Sequence, residues 1–174
     1  MAARAAALAA SKRVLAKPLP SEFSTGTFPR EYASGEMVAV QNFMAANGIV
    51  PFPGIMLAGD ICPSAGVTIL DADGSLVATA YGYLPHNESS RYRSYAFGGL
   101  ACVSEQYRGR GLGAYVNALM VVKVFAELDA GWIYEMVNET NLSSRRMVEA
   151  SGLVRDPAVT GYVATRVGEP RFTR

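Results

Sequence analysis

The sequence predicts a mixed α/β fold in which a mostly antiparallel sheet, flanked by helices, ends in one parallel unit. Three observations predict it. Gly66-Val-Thr-Ile-Leu-Asp71 and Leu76-Val-Ala-Thr-Ala-Tyr-Gly-Tyr83 are apolar, β-rich runs joined by the turn signal Asp71-Ala-Asp-Gly74, so they read as a hairpin. Ala96-Phe-Gly-Gly-Leu-Ala-Cys-Val103 reads as a buried strand that runs through a glycine-rich turn into the apolar stretch Leu112 to Leu128, which has helical length. Gly131-Trp-Ile-Tyr-Glu-Met-Val137 then reads as a further strand, and strand, helix and strand make one right-handed parallel crossover.

Length and composition narrow the class. A chain of 174 residues suffices for one domain with a sizeable core and is too short for two ordinary ones. Half of the residues are apolar and 18% are charged, as in a compact globular protein. Lys and Arg number 16 against 15 Asp and Glu, a balance that argues against bulk nucleic-acid binding. Cys62 and Cys102 make no disulfide framework, and Cys102 on a strand reads as a small buried apolar group. No apolar run reaches the roughly 18 to 20 residues needed to span a bilayer. The expected setting is therefore reducing and cytoplasmic, with no membrane partner.

Residues 2 to 16 are Ala-rich with high helix propensity, and Pro18 and Pro20 end the stretch. It carries Arg and Lys and no acid before Glu22, a composition shared with transit peptides, but its longest apolar run is too short for a secretory core. We read residues 1–20 as an added helix that packs on the domain or on a partner subunit, which in the second case makes the protein a homodimer. Residues 21–174 form the single domain. Residues 21 to 28 suit an edge strand, and Gly35 to Gly48 suits a helix with a broad apolar face carrying Met37, Val38, Val40, Phe43 and Met44. Ile55 to Pro63 reads as a loop or short helix at the mouth of a cleft. The helix from Gly111 is apolar nearly all round and should be buried on most sides. Asn141 suits the N-cap of a last helix and Gly152 its C′ stop, Arg145 and Glu149 are spaced as an i, i+4 pair, and Tyr162-Val-Ala-Thr-Arg-Val167 reads as a closing strand. Trp132 is expected to pack in the core.

The chemistry concentrates in Val103-Ser-Glu-Gln-Tyr-Arg-Gly-Arg-Gly-Leu-Gly-Ala114. A strand that turns through glycines into a helix gathers unsatisfied N–H groups and the positive end of a helix dipole at one point. Arg108 and Arg110 add positive charge, and Gly109, Gly111 and Gly113 let the backbone approach a ligand closely. This combination suits a phosphate or pyrophosphate. A P-loop is excluded because no Lys follows the glycines, and Gly109-x-Gly111-x-x-Ala114 fits the dinucleotide fingerprint only loosely.

Arg108-x-x-Gly111-x-Gly113 resembles the Gln/Arg-x-x-Gly-x-Gly/Ala signature of the GNAT superfamily of acyl-CoA-dependent N-acetyltransferases. The strand, Asn and short helix of residues 131 to 153, ending in Gly152-Leu153, resemble that family's second signature. The resemblance covers about residues 66 to 165. It implies a GNAT-like sheet whose fourth and fifth strands run parallel but splay, with acetyl-CoA held between them. The pantetheine arm would pair with the backbone of Ala101, Cys102 and Val103. The pyrophosphate would sit on Arg108, Gly109, Arg110, Gly111, Leu112, Gly113 and Ala114, with Asn141 and Ser144 on the coenzyme arm. The reaction implied is acetyl transfer to a primary amine, on a small molecule or a protein N-terminus, by direct attack in a ternary complex and without a metal.

Two positions depart from the family's pattern. The Tyr usual four residues before the Gly is Val148, and the position five before Asn141, sometimes a base, is Met136. Tyr134, Tyr162 and the lone His86 are the substitutes for proton transfer, each with an ordinary reading as strand packing or a solvated loop side chain. A non-catalytic acyl-CoA sensor is an alternative because the Tyr is missing. An NAD(P)-dependent oxidoreductase, using Glu135 or Glu139 as the acid after its second strand, is another. That fold would open with its glycine motif, and fewer than 40 residues follow Val137 to complete a doubly wound sheet.

Overall fold

The computed structural model describes residues 2–27, 35–49 and 62–157. The expected closing strand at 162–167, Tyr162 itself and the stretch 55–61 lie outside them. The elements are α1 (Ala2–Leu15), β1 (Ser24–Thr27), α2 (Gly35–Ala46), β2 (Ser64–Leu70), β3 (Leu76–Tyr83), β4 (Tyr95–Val103), α3 (Leu112–Glu127), β5 (Trp132–Glu135) and α4 (Leu142–Ala150). The five strands form one sheet in the order β1-β2-β3-β4-β5. Every neighbouring pair is antiparallel except β4 and β5, which are parallel. This is the mixed sheet expected from the sequence, and it is not a doubly wound parallel sheet.

The hairpin closes as its turn residues dictate. Asp71 accepts from the N–H groups of Asp73 and Ser75 through Oδ1, at 3.1 and 2.9 Å, and Gly74 takes a positive φ of 79°. Side chains of β3 then alternate between two cores. Ala78 and Ala80 join the cluster of Val116, Met120, Val121 and Val124 from α3, whereas Tyr81 and Tyr83 pack with Met37, Val40 and Met44 of α2. Gly82 and Gly98 keep the first face low. A Cβ at Gly82 would meet Val124 Cγ2 at 2.5 Å, and one at Gly98 would meet Met120 Cε at 2.9 Å, so α3 lies directly on the backbone of β3 and β4.

The N-terminal helix packs on α3 and contributes Ala7 to the main core. Arg4 stacks over the Phe125 ring at 5.1 Å and donates to the Phe125 carbonyl at 2.9 Å. Two expectations are corrected. Trp132 is 48% exposed and stacks on Tyr95, because it stands on the face of β5 that α3 does not cover. Arg145 and Glu149 form no ion pair; α4 stands beside Arg155–Glu139 at 2.7 Å, while Lys123–Glu127 at 2.6 Å is the i, i+4 pair, on α3.

Gly152 ends α4 with φ 81°, and a Cβ there would lie 2.8 Å from Ala10 Cβ and 2.9 Å from Ala7 Cα. Gly152→Ala therefore strains a left-handed position and wedges α1 away from the core. The expected loss is about 2–4 kcal/mol, read as a lower urea midpoint at unchanged slope.

Candidate active site

The parallel ladder is short. Tyr95, Ala96, Phe97 and Gly98 pair with Trp132, Ile133, Tyr134 and Glu135, and pairing then stops. β4 continues alone on that side to Val103 while still paired to β3 on the other. Its register with β3 slips between Thr79 and Tyr81, so that Leu100 and Ala101 are accommodated as a bulge. Leu100 takes φ 53°, an unusual value outside glycine, and its carbonyl accepts from the Thr79 hydroxyl at 3.2 Å. The bulge turns β4 away from β5 and opens a wedge of about 160 Å³. Gly99, Leu100 and Ala101 form one wall, Glu135, Met136, Val137 and Asn138 the other, with Ile49, Asn141, Ser144 and Met147 at its margins.

β4 leads from this wedge into the glycine turn. Residues Glu105–Tyr107 make a 3-10 turn anchored by the Tyr107 hydroxyl on Asp71 Oδ2 at 3.2 Å and by the Tyr107 ring on Phe23. Gly109 and Gly111 have φ of 78° and 81°, values only glycine adopts cheaply. Gly111 is the N-cap of α3 and offers no side chain, so the N–H groups of Leu112, Gly113 and Ala114 are uncapped at the positive end of a 16-residue helix. That arrangement is a ready anion site.

The two arginines part company. Arg108 stays at the turn and donates from Nε to the Val103 carbonyl at 3.2 Å. Arg110 is drawn into an ion pair with Glu22 and lies over the Phe23 ring at 4.8 Å. Glu22's carboxyl is held below its usual range by its own backbone N–H first and by Arg110 second. Cys102 is buried, and the loss of water pushes its thiol up to about 11, so it is inert at neutral pH. Asn141 caps α4 by accepting from the Ser144 N–H at 3.0 Å, which brings both residues to the wedge.

None of the expected proton-transfer residues lines the wedge among the described residues. Tyr134 points to the opposite face of β5, with its ring against Phe97 at 5.3 Å and its hydroxyl pushed up by burial. His86 lies in the β3–β4 connection against Tyr92. Met136 reaches the wedge with 67% of its surface exposed but carries no proton-transfer group. The ionisable residue that does line it is Glu135, which the sequence pattern offered only as part of a dinucleotide site. Its side chain turns to the α3 face, opposite Gly98, and its Oε1 accepts from Asn117 Nδ2 at 3.1 Å. Desolvation pushes its pKa from 4.5 to about 7, against the smaller downward pull of the Asn117 hydrogen bond.

This shift has a signed consequence for stability. Between about pH 4.5 and about pH 7 the folded chain holds a proton on Glu135 that the unfolded chain has released, so stability falls as pH rises through this window. Glu135→Gln removes the effect. The variant is expected to match the wild type below about pH 4.5 and to exceed it by up to about 3 kcal/mol above pH 7, measured by urea unfolding across pH.

No protein-family model matches the chain, and no curated protein matches it by sequence. Solved structures do match. An aminoglycoside acetyltransferase from an uncultured soil metagenomic sample, in complex with trehalose, superposes with TM-score 0.64 at 10% identity, covering 86% of this chain and 99% of its own. AAC(6')-Iy, in complex with the bisubstrate analogue CoA-S-monomethyl-acetylneamine, gives TM-score 0.58 at 14% identity over 84% of this chain and 100% of its own. Glucosamine-6-phosphate N-acetyltransferase from Arabidopsis thaliana gives TM-score 0.58 at 12% identity over 81% and 97%. The parallel pair closing an antiparallel sheet, the wedge behind it and these matches together establish that the chain has the fold of the GNAT superfamily, the GCN5-related N-acetyltransferases.

Proposed function

We propose that this chain is an acetyl-CoA-dependent N-acetyltransferase, with residues 21–174 as the catalytic unit, acting on a primary amine of a small molecule or a protein N-terminus. The observation that carries the reading is that β4 leads from the wall of the wedge into an uncapped helix N-terminus: one feature suits an extended acyl arm, the other a diphosphate. The unpaired edge of Ala101–Val103 supplies backbone groups for the arm. The N–H groups from Gly109 to Ala114, with Arg108, supply donors for the diphosphate. Asn141 has its oxygen committed to the α4 cap and its amide nitrogen left to donate, with Ser144 beside it.

The acceptor reaches the protein as an ammonium ion and must lose a proton before it can attack. Glu135 is the base we assign, because the residue borders the wedge and its pKa of about 7 leaves it substantially ionised at neutral pH. Once deprotonated, the amine attacks the thioester carbonyl directly. The C–N bond forms, the C–S bond breaks, and the proton remaining on the new ammonium nitrogen passes to the departing thiolate. Glu135 later returns its proton to water. This scheme needs no tyrosine at Val148, and Tyr134, Tyr162 and His86 are not required in it.

Acetyl-CoA and free CoA are expected to raise the melting temperature, whereas NAD and NADP leave it unchanged. A chain that binds acetyl-CoA but releases no thiol with any amine would be a sensor instead. Arg108→Ala and Gly111→Asp are each expected to weaken acetyl-CoA about tenfold or more by calorimetry; unchanged affinity in both would put the diphosphate elsewhere. Glu135→Gln is expected to lower kcat for thiol release by about 100-fold or more.

A further inference from the structure

Asn117 stands at the centre of α3 with no exposed surface, amid Val116, Met120 and Val121, in a core where leucine would serve packing better. Its Nδ2 donates twice, to Glu135 Oε1 at 3.1 Å and to Ser151 Oγ at 3.2 Å. Its Oδ1 is buried and, among the described residues, has no hydrogen-bond partner. An orphaned amide oxygen costs stability. With Glu135 ionised, the orientation present is the one that donates to the carboxylate. Ser151 is itself fully buried just past the end of α4, and its carbonyl accepts from the Ser11 hydroxyl of α1 at 3.3 Å. The second donation therefore ties the amide to a rigid point between α1, α3 and α4.

We propose that Asn117 is a positioning residue of the transfer reaction: held by Ser151, it fixes the Glu135 carboxylate from the interior of α3, at the border of the wedge, and stabilises its ionised form. This rests on the assignment of Glu135 as the base. Among the described residues no other polar group hydrogen-bonds the Glu135 carboxyl. On β4 the residue facing Glu135 is Gly98. Cys102 on β4, Tyr115 and Lys123 on α3, and Arg145, Arg146 and Glu149 on α4 make no hydrogen bond or ion pair with it. The partners that act on its proton affinity are the loss of water and Asn117.

The test has a readout that a purely structural role would not move. In the full chain, the Glu135 carboxyl is titrated by carbon NMR without substrate, in the wild type, in Asn117→Leu and in Ser151→Ala. Asn117→Leu is expected to raise the Glu135 midpoint by about one pH unit, because a hydrogen bond to the charged form is lost. The acidic limb of the kcat/KM profile for thiol release, followed from about pH 5 to about pH 9, is expected to move up by the same amount, with most of the activity recovered on the alkaline side. A midpoint that stays put, or a loss of activity equal at every pH, overturns the role of Asn117. If the leucine variant does not fold, Ser151→Ala decides: it frees the amide to turn, and a smaller rise in the midpoint supports the proposal while an unchanged midpoint overturns it. Because the titration needs no coenzyme, a wild type that releases no thiol from acetyl-CoA sinks the acetyltransferase reading separately.

Discussion

Everything at the candidate site depends on where β4 and β5 cease to share hydrogen bonds. As far as Gly98 and Glu135 the two strands lie in parallel register. Beyond that point the bulge at Leu100 and Ala101, pinned by the Thr79 hydroxyl, adds length and twist to β4, and β5 is left without a partner on that side. Backbone N–H and C=O groups cannot be abandoned in a protein interior, so the exposed edge must be met by water or by a polar ligand. An opening with unspent backbone groups along one wall and apolar side chains such as Met136 and Met147 near the other is shaped for an extended arm rather than a compact molecule.

The position of α3 carries the same constraint into electrostatics. Gly82 and Gly98 bring Met120 and Val124 onto the sheet, so the helix is locked at close range. Its N-terminus follows β4 after only the short connection from Ser104 to Gly111. The positive end of the helix and the wedge thus occupy the same end of the sheet. Among the described residues that border the wedge, Glu135 is the ionisable one, and burial raises its carboxyl toward neutrality. On the function proposed, one site offers donors for a diphosphate and a proton acceptor for an amine.

Stability and site share one scaffold. Through Ser11, Ser151 and Asn117, a line of buried polar contacts runs from α1 across α4 and α3 to Glu135. The N-terminal helix, which by sequence could have been a detachable addition, supplies Ala7 to the core and closes over Gly152. Trp132 shows the limit of composition as a guide. A large apolar ring was expected inside, yet the side of β5 on which it stands faces away from α3, and it stacks on Tyr95 at the surface.

What the sequence by itself determined is what short-range periodicity and turn chemistry can encode. The Asp71–Gly74 hairpin, the apolar run that becomes α3, the glycine turn before it and the Asn141 cap each depend on neighbours within a few residues, and each was legible there. Only the tertiary structure decided which acidic residue borders the wedge. Glu135 is an unremarked acid on a strand until the bulge in β4 opens a wedge beside it and α3 sets Asn117 against it. A hint was present, since Asn117 interrupts an otherwise apolar stretch from Val116 to Val122, but a polar residue in a buried helix names no partner. Proton affinity is set by water excluded and donors supplied across elements distant in the chain, and those quantities exist only once the sheet and helix have packed.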